Sequence, residues 1–282
     1  MKQSKVHPLA YVEDGAVIGN NVIIEPFAVV KKHATLHDNV VIRSHAYIDG
    51  YTTIGENTMI YPGASIGTEP QAIKYQGERT YINIGRNCVI REYVTINSSL
   101  KADASVEIGD SCMLMAYVHI AHNCKLGNHV VMANNATLAG HVTIEDHAII
   151  GGMTPIHQFA RIGAYSMVGG LSRLPHDIPP YTIGAGVPFK FGGLNLVGLR
   201  RHGFSFAVRR ELSRAFRLLY RSKLRLADAI FRMETELEKY PEIVHFIEFC
   251  RHSKRGLGLA EGGDSEELLE EEKELVTAGL SL

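Results

Sequence analysis

Residues 117–124 read YVHIAHNC and place two histidines three apart, His119 and His122. Imidazole titrates near neutral pH, so such a pair can move a proton, and its neutral form can ligate a metal. Two stretches downstream carry related chemistry: NNATLAGHV, with Gly140 and His141, and IIGGMTPIHQF, with His157 and Gln158. A histidine facing a glycine N–H suits acyl transfer, because the ring takes a proton while the amide steadies an oxyanion. A zinc site built on His119 and His122 is the competing chemistry. Side chains three apart on a flat strand point to different sides, which speaks against a shared metal, and no metal is expected. The sequence has no G-x-S-x-G, and its four cysteines lack paired spacing. No acyl-enzyme is expected, so transfer should be direct.

A period of six must position these residues. From Val6 to Leu174 every sixth residue is Ile, Leu, Val or Met, except Ala72, Glu78 and Ala102. Four positions after each aliphatic comes a smaller residue, as at Ala10, Ala16, Ala28, Ala34 and Ala136. Neither a helix nor an alternating hairpin gives that period. One large and one small inward residue per hexad describe a solenoid of short parallel strands. Cys88, Cys112 and Cys124 fall in the small column and read as packing.

This pattern is similar to that of the hexapeptide-repeat transferases. The resemblance implies a left-handed parallel β-helix, mainly β in class, with three hexads per coil. Residues n and n+18 then stack about 4.8 Å apart. On that count Gly140 lies over His122, His141 over Asn123 and His157 over Ala139. The segment 67–82 spans one coil's worth of sequence, from Ile66 to Ile84, and is read as replacing a coil without shifting the register. NSSLKADASVE is a smaller interruption. A solenoid does not need such loops for stability, which suggests that they serve function.

Three parts are expected: a β-helix over 1–190, a basic helical domain over 191–256, and a disordered acidic tail over 257–282. Ser205 is read as an N-cap and Pro241 as a first-turn residue. Phe206, Leu212, Phe216 and Leu219 would form the buried face of the first long helix. Residues 200–225 hold nine Lys and Arg against one acid, Glu211. That surface suits an acidic partner such as a nucleotide diphosphate or an acidic carrier protein. The formal net charge of −1 gives no reason to expect nucleic acid. No apolar run reaches the length of a membrane span, and MKQSKVHPLAYVEDG lacks a secretory core. A reduced, cytoplasmic protein without membrane insertion is expected.

HIAHNC, NNATLAGHV, IIGGMTPIHQF, DIPPYTIG and GLRRHGFS together resemble the UDP-N-acetylglucosamine O-acyltransferases, which open lipid A synthesis. The resemblance implies a homotrimer that moves a fatty acyl chain, often 3-hydroxylated, from acyl carrier protein to the sugar 3-hydroxyl. The carrier thioester is a co-substrate, and no cofactor is implied. Carried over residue by residue, His122 is the general base and Gly140 supplies the oxyanion N–H. Gln71, Lys74, His119, His141, His157 and Gln158 match substrate-contacting positions. Asn195, Arg201 and His202 match positions that contact the nucleotide or the carrier, and Gly170 matches the site that limits acyl length. The sequence departs from the family at Ala72 and Val197, where acids are common, and at His202, where Arg is common. Those departures leave open a 3-amino UDP-sugar as acceptor. A small acetyltransferase using acetyl-CoA shares the repeat but has less need of a basic helical domain.

Overall fold

Each hexad gives two residues of strand and four of turn, because one aliphatic side chain per hexad must point inward before the chain bends. The computed structural model describes residues 3–258. Val29–Val30, Thr35–Leu36 and Val41–Ile42 follow one another on three different faces. Sheet A begins at Lys5–Val6 and has eleven strands; sheet B begins at Tyr11–Val12 and sheet C at Val17–Ile18, with eight each. Apart from the last pair of sheet A, neighbours within a sheet are parallel, so the chain winds as a parallel β-helix. The inward residues Ile48, Ile66, Ile90 and Ile120 are fully buried, as are Ala28, Val94 and Cys124 of the small column. Burying each isoleucine stabilises the coil by roughly 2 kcal/mol.

Most coils stack at the expected offset: Ile24 pairs with Ile42, and Ile120 with Leu138. The middle coils do not. Ile54, Ile60 and Ile66 pair with Ile84, Ile90 and Ile96, thirty residues on. Those pair in turn with Ile108, Leu114 and Ile120, twenty-four on. The first loop therefore adds two hexads to one coil, and the second adds one hexad to the next. This corrects the reading of 67–82 as a replaced coil. The period of six survives because both additions are whole hexads, while the count of eighteen fails between Ile54 and Ile120.

The turns between faces repeat a left-handed residue, for example Asn123 at φ 61° and His141 at φ 62°. Asn adopts that region at least cost among side-chain-bearing residues. The coil stacking holds even His, Tyr and Phe there, and their rings stack along the corners: His129 on His147 at 4.6 Å, and His147 on Tyr165 at 4.6 Å.

The frame of six stops at Leu174, but sheet A continues. Thr182–Ala185 adds a parallel strand beside Met167–Val168, and Lys190–Leu194 pairs antiparallel with it. Four helices follow: α1 Leu196–Arg201, α2 Phe206–Tyr220, α3 Leu226–Glu236 and α4 Pro241–Arg251. Ser205 caps α2, its Oγ accepting from the Val208 N–H at 3.2 Å, and Pro241 opens α4. On the buried face of α2, Val208, Leu212 and Ala215 pack with Ile230, Met233, Phe246 and Ile247, while Phe216 joins the core of the β-helix. Phe206 stays outside, 74% exposed, because it is the first helical residue and the packed stripe starts at Val208. No described helix is long and apolar enough to cross a membrane. The acidic run at 259–282 lies outside the described residues.

Candidate active site

Alternation along the strand His119–Ile120 points Ile120 into the core and His119 out over sheet B. Thr137 and Pro155 occupy the same outward position on the next two strands. The chain then leaves sheet B at Ala121, and His122 follows in the turn toward sheet C. Both histidines line one cleft of about 350 Å³, with Gln71, Asn97, Thr137 and Gly140. The expectation that a spacing of three separates them does not hold, because the turn redirects the second side chain.

His122 rests against Gly140. A Cβ at position 140 would lie 2.2 Å from its Cε1 and 2.5 Å from its Nε2, so only glycine lets the ring approach this backbone. The His141 N–H donates to the His122 carbonyl at 3.0 Å, which fixes the two coils against each other. No described acceptor takes the Gly140 N–H.

The tautomer of His122 follows from its neighbour. Its Nδ1 lies 3.0 Å from Asn123 Oδ1. The same oxygen accepts from the Leu100 N–H at 3.4 Å, which orients the amide with its oxygen toward the ring. Nδ1 must therefore donate, and the lone pair sits on Nε2, on the side of Gly140. Asn123 is held in turn: its N–H donates to Ser99 Oγ at 3.2 Å, and Ser99 N–H donates to Thr80 Oγ1 at 3.2 Å. Thr80 and Ser99 belong to the two inserted segments, so both insertions converge on the imidazole.

The surrounding histidines are kept neutral. Burial lowers the His119 pKa, and its Nδ1 meets Thr95 Oγ1 at 2.7 Å. Burial also lowers that of His141, aided by the charges of His122 and Lys101. His141 stands edge-on to His122 at 5.2 Å and stacks on Phe159 at 4.7 Å. All four cysteines are buried free thiols: burial pushes Cys124 up to about 12, and although a hydrogen bond with Cys112 lowers Cys88, that thiol faces the interior of the coil, away from the cleft.

The other expected residues spread outward from this point. His157 and Gln158 are exposed one coil beyond Ala139 and Gly140, along the same edge. Gln71 reaches the cleft from the long loop, while Lys74 is exposed on that loop outside the lining. Gly170 lies at the other border of sheet B, beside Gly152, whose carbonyl would sit 3.2 Å from an added Cβ. Asn195 caps α1: its Oδ1 accepts from Gly198 N–H at 3.0 Å and its Nδ2 donates to the Tyr165 carbonyl at 2.9 Å. Arg201 is exposed at the end of α1. His202 packs edge-on against His147 at 4.8 Å and Tyr165 at 5.1 Å.

Sequence reasoning missed Thr95, Asn97 and Asn123. Asn123 had a signal, since it directly follows His122 at a left-handed corner. Thr95 and Asn97 had none, because they join the cleft across a coil of irregular length.

Known proteins match along nearly the whole chain. Residues 177–258 match the family described as UDP N-acetylglucosamine O-acyltransferase, domain 2, and residues 105–140 match the bacterial transferase hexapeptide family. An acyl-(acyl-carrier-protein)–UDP-N-acetylglucosamine O-acyltransferase of Chlamydia abortus is 51% identical over 97% of this chain and 99% of its own. Its counterpart in Chlamydia caviae is 49% identical over 96% of this chain and 97% of its own. The crystal structure of a UDP-N-acetylglucosamine acyltransferase from Bacteroides fragilis superposes with a TM-score of 0.86 at 39% identity, over 89% of this chain and 99% of that one. With identity near one half sustained over almost its full length, the chain belongs to the UDP-N-acetylglucosamine O-acyltransferase family.

Proposed function

We propose that this enzyme transfers a fatty acyl group, often 3-hydroxylated, from acyl carrier protein to the 3-hydroxyl of UDP-N-acetylglucosamine, the step that opens lipid A synthesis. The observation that carries the mechanism is the contact between the His122 ring and Gly140, within a cleft of a chain of this family. His122 Nε2 takes the proton of the sugar hydroxyl as its oxygen attacks the thioester carbonyl. The Gly140 N–H steadies the tetrahedral oxyanion. The C–S bond then breaks, and the proton on His122 passes to the leaving thiolate. Asn123 holds the tautomer that makes Nε2 the base.

Around that centre, Gln71, Lys74, His119, His141, His157 and Gln158 bind the sugar and the acyl carbonyl region. Asn195, Arg201 and His202 serve the nucleotide and carrier end. Asn195 does so through α1, since its own amide is occupied within the chain. Gly170, on the opposite border of sheet B, leaves room for a long acyl chain. The basic face of α2 receives the acidic carrier. A homotrimer is supported by exposed rings along the border of sheets A and B, where Tyr93 and Tyr117 stack at 5.2 Å and are 55% and 56% exposed. Four free cysteines fit a reducing cytoplasm.

The test is to incubate the purified protein with carrier thioesters and UDP-N-acetylglucosamine and to map the product. A 3-O-acyl ester, cleaved by mild alkali, supports the reading. Acylation only of the 3-amino analogue, as an alkali-stable amide, would assign the other acceptor left open by Ala72, Val197 and His202.

A further inference from the structure

The second inserted segment joins sheet B to sheet C at the corner that also holds His122 and His141. Its Leu100 N–H donates to Asn123 Oδ1 at 3.4 Å, and that oxygen lies 3.0 Å from His122 Nδ1. Two hydrogen bonds and the width of one imidazole therefore separate the Leu100 backbone from Nε2, the base. Lys101 is the next residue. Its carbonyl accepts from the Ala104 N–H at 3.0 Å, and the Asp103 N–H donates to the Arg79 carbonyl of the long loop at 2.9 Å. The backbone is thus tied down on both sides of Lys101. The side chain is exposed, and among the described residues no carboxylate pairs with it. Its charge reaches the His141 ring where, after burial and His122, it helps to lower the imidazole pKa. His141 in turn stands edge-on to His122 at 5.2 Å. An ammonium on a fixed turn therefore stands beside the base, and the mechanism above does not use it.

An exposed ammonium on a flexible stem binds phosphate as a point charge. Both substrates carry phosphate, at different distances from the reacting atoms. The diphosphate of UDP-N-acetylglucosamine leaves the ring at C1, two carbons from the C3 whose hydroxyl must meet Nε2. The phosphate of the carrier's prosthetic arm lies at the far end of a long pantetheine chain from the sulfur. The acyl chain is read as crossing sheet B toward Gly170, at the opposite border. The corner of Lys101 is then left to the sugar nucleotide, whose phosphates fall within the span of one lysine side chain.

We propose that Lys101 binds the diphosphate of the sugar nucleotide while the 3-hydroxyl sits at His122. The assignment rests on the UDP-sugar reading above and gives the second insertion a part in substrate binding, beside its part in holding Asn123. Being exposed, the contact is screened by salt.

Two measurements on the full-length chain test this. Lys101→Met keeps the stem and removes the charge, and Lys101→Arg restores the charge. In steady-state kinetics Lys101→Met should raise the KM for UDP-N-acetylglucosamine about five-fold at low salt, with the carrier KM unchanged. The difference should close at about 0.5 M salt, and Lys101→Arg should return the KM to within about two-fold of wild type. In the second measurement, calorimetric titration with UDP alone should show a similar loss of affinity in Lys101→Met, with an unchanged melting curve. An unchanged sugar-nucleotide KM, or a rise confined to the carrier KM, overturns the proposal. So does a raised sugar-nucleotide KM with wild-type affinity for UDP, which would move the effect to the sugar ring or to His141. A wild-type chain that binds UDP yet leaves the sugar unacylated would count against the reaction, and the UDP titration would still decide the role of Lys101.

Discussion

A methyl group at position 140 would sit where the His122 ring now lies. Gly140→Ala must therefore swing the imidazole away from its backbone partner. The expected result is a fall in kcat of about ten-fold or more, with a stability loss of about 1–3 kcal/mol from overpacking, read by steady-state kinetics and denaturant melts. His119 makes a pH prediction. Its pKa in the folded chain lies below its ordinary value of 6.5, because burial disfavours the charged ring. The unfolded chain then binds the proton more readily, so stability is full above 6.5 and declines as pH falls through 6.5 toward the folded value. His119→Gln should weaken the decline in melting temperature between pH 7 and pH 5. An unchanged slope would mean that His119 takes no part in it.

The two inserted segments keep the hexad frame yet lengthen their coils, and together they clamp Asn123 behind His122. Excising residues 69–80 removes two whole hexads and brings Ile84 six residues after Ile66. The β-helix should survive, with a cooperative melt, since a shorter loop changes closure entropy by only about 1 kcal/mol or less. Activity should not survive: Gln71 and Thr80 go with the loop, and kcat/KM should drop by about 10² or more. The contrast marks what a sequence can convey here. The frame of six states which side chains face inward, so the strands and the stacking of Gly140 on His122 were readable. It is blind to coil length, because an added hexad leaves the frame intact, and so Thr95 and Asn97 could not be placed beside the cleft. The cap made by Asn195 and the packing of His202 on Tyr165 depend on how the helices meet the last coils, which no local pattern records.

At the scale of the whole molecule, the β-helix holds the candidate site and α2 holds a cluster of arginines. If the basic face of α2 receives the carrier, Arg209→Glu with Arg210→Glu should raise the carrier KM about ten-fold at low salt and weaken its salt dependence, with the sugar KM unchanged. A change confined to the sugar KM would move the nucleotide to this face. The account as a whole rests on the His122 ring, oriented by Asn123 and pressed against Gly140. Its most direct measurement is the single-turnover rate of His122→Ala with saturating carrier thioester and UDP-N-acetylglucosamine. The expected result is a loss of about 10²-fold or more with an unchanged melting curve. Near-normal turnover in that variant would contradict the account.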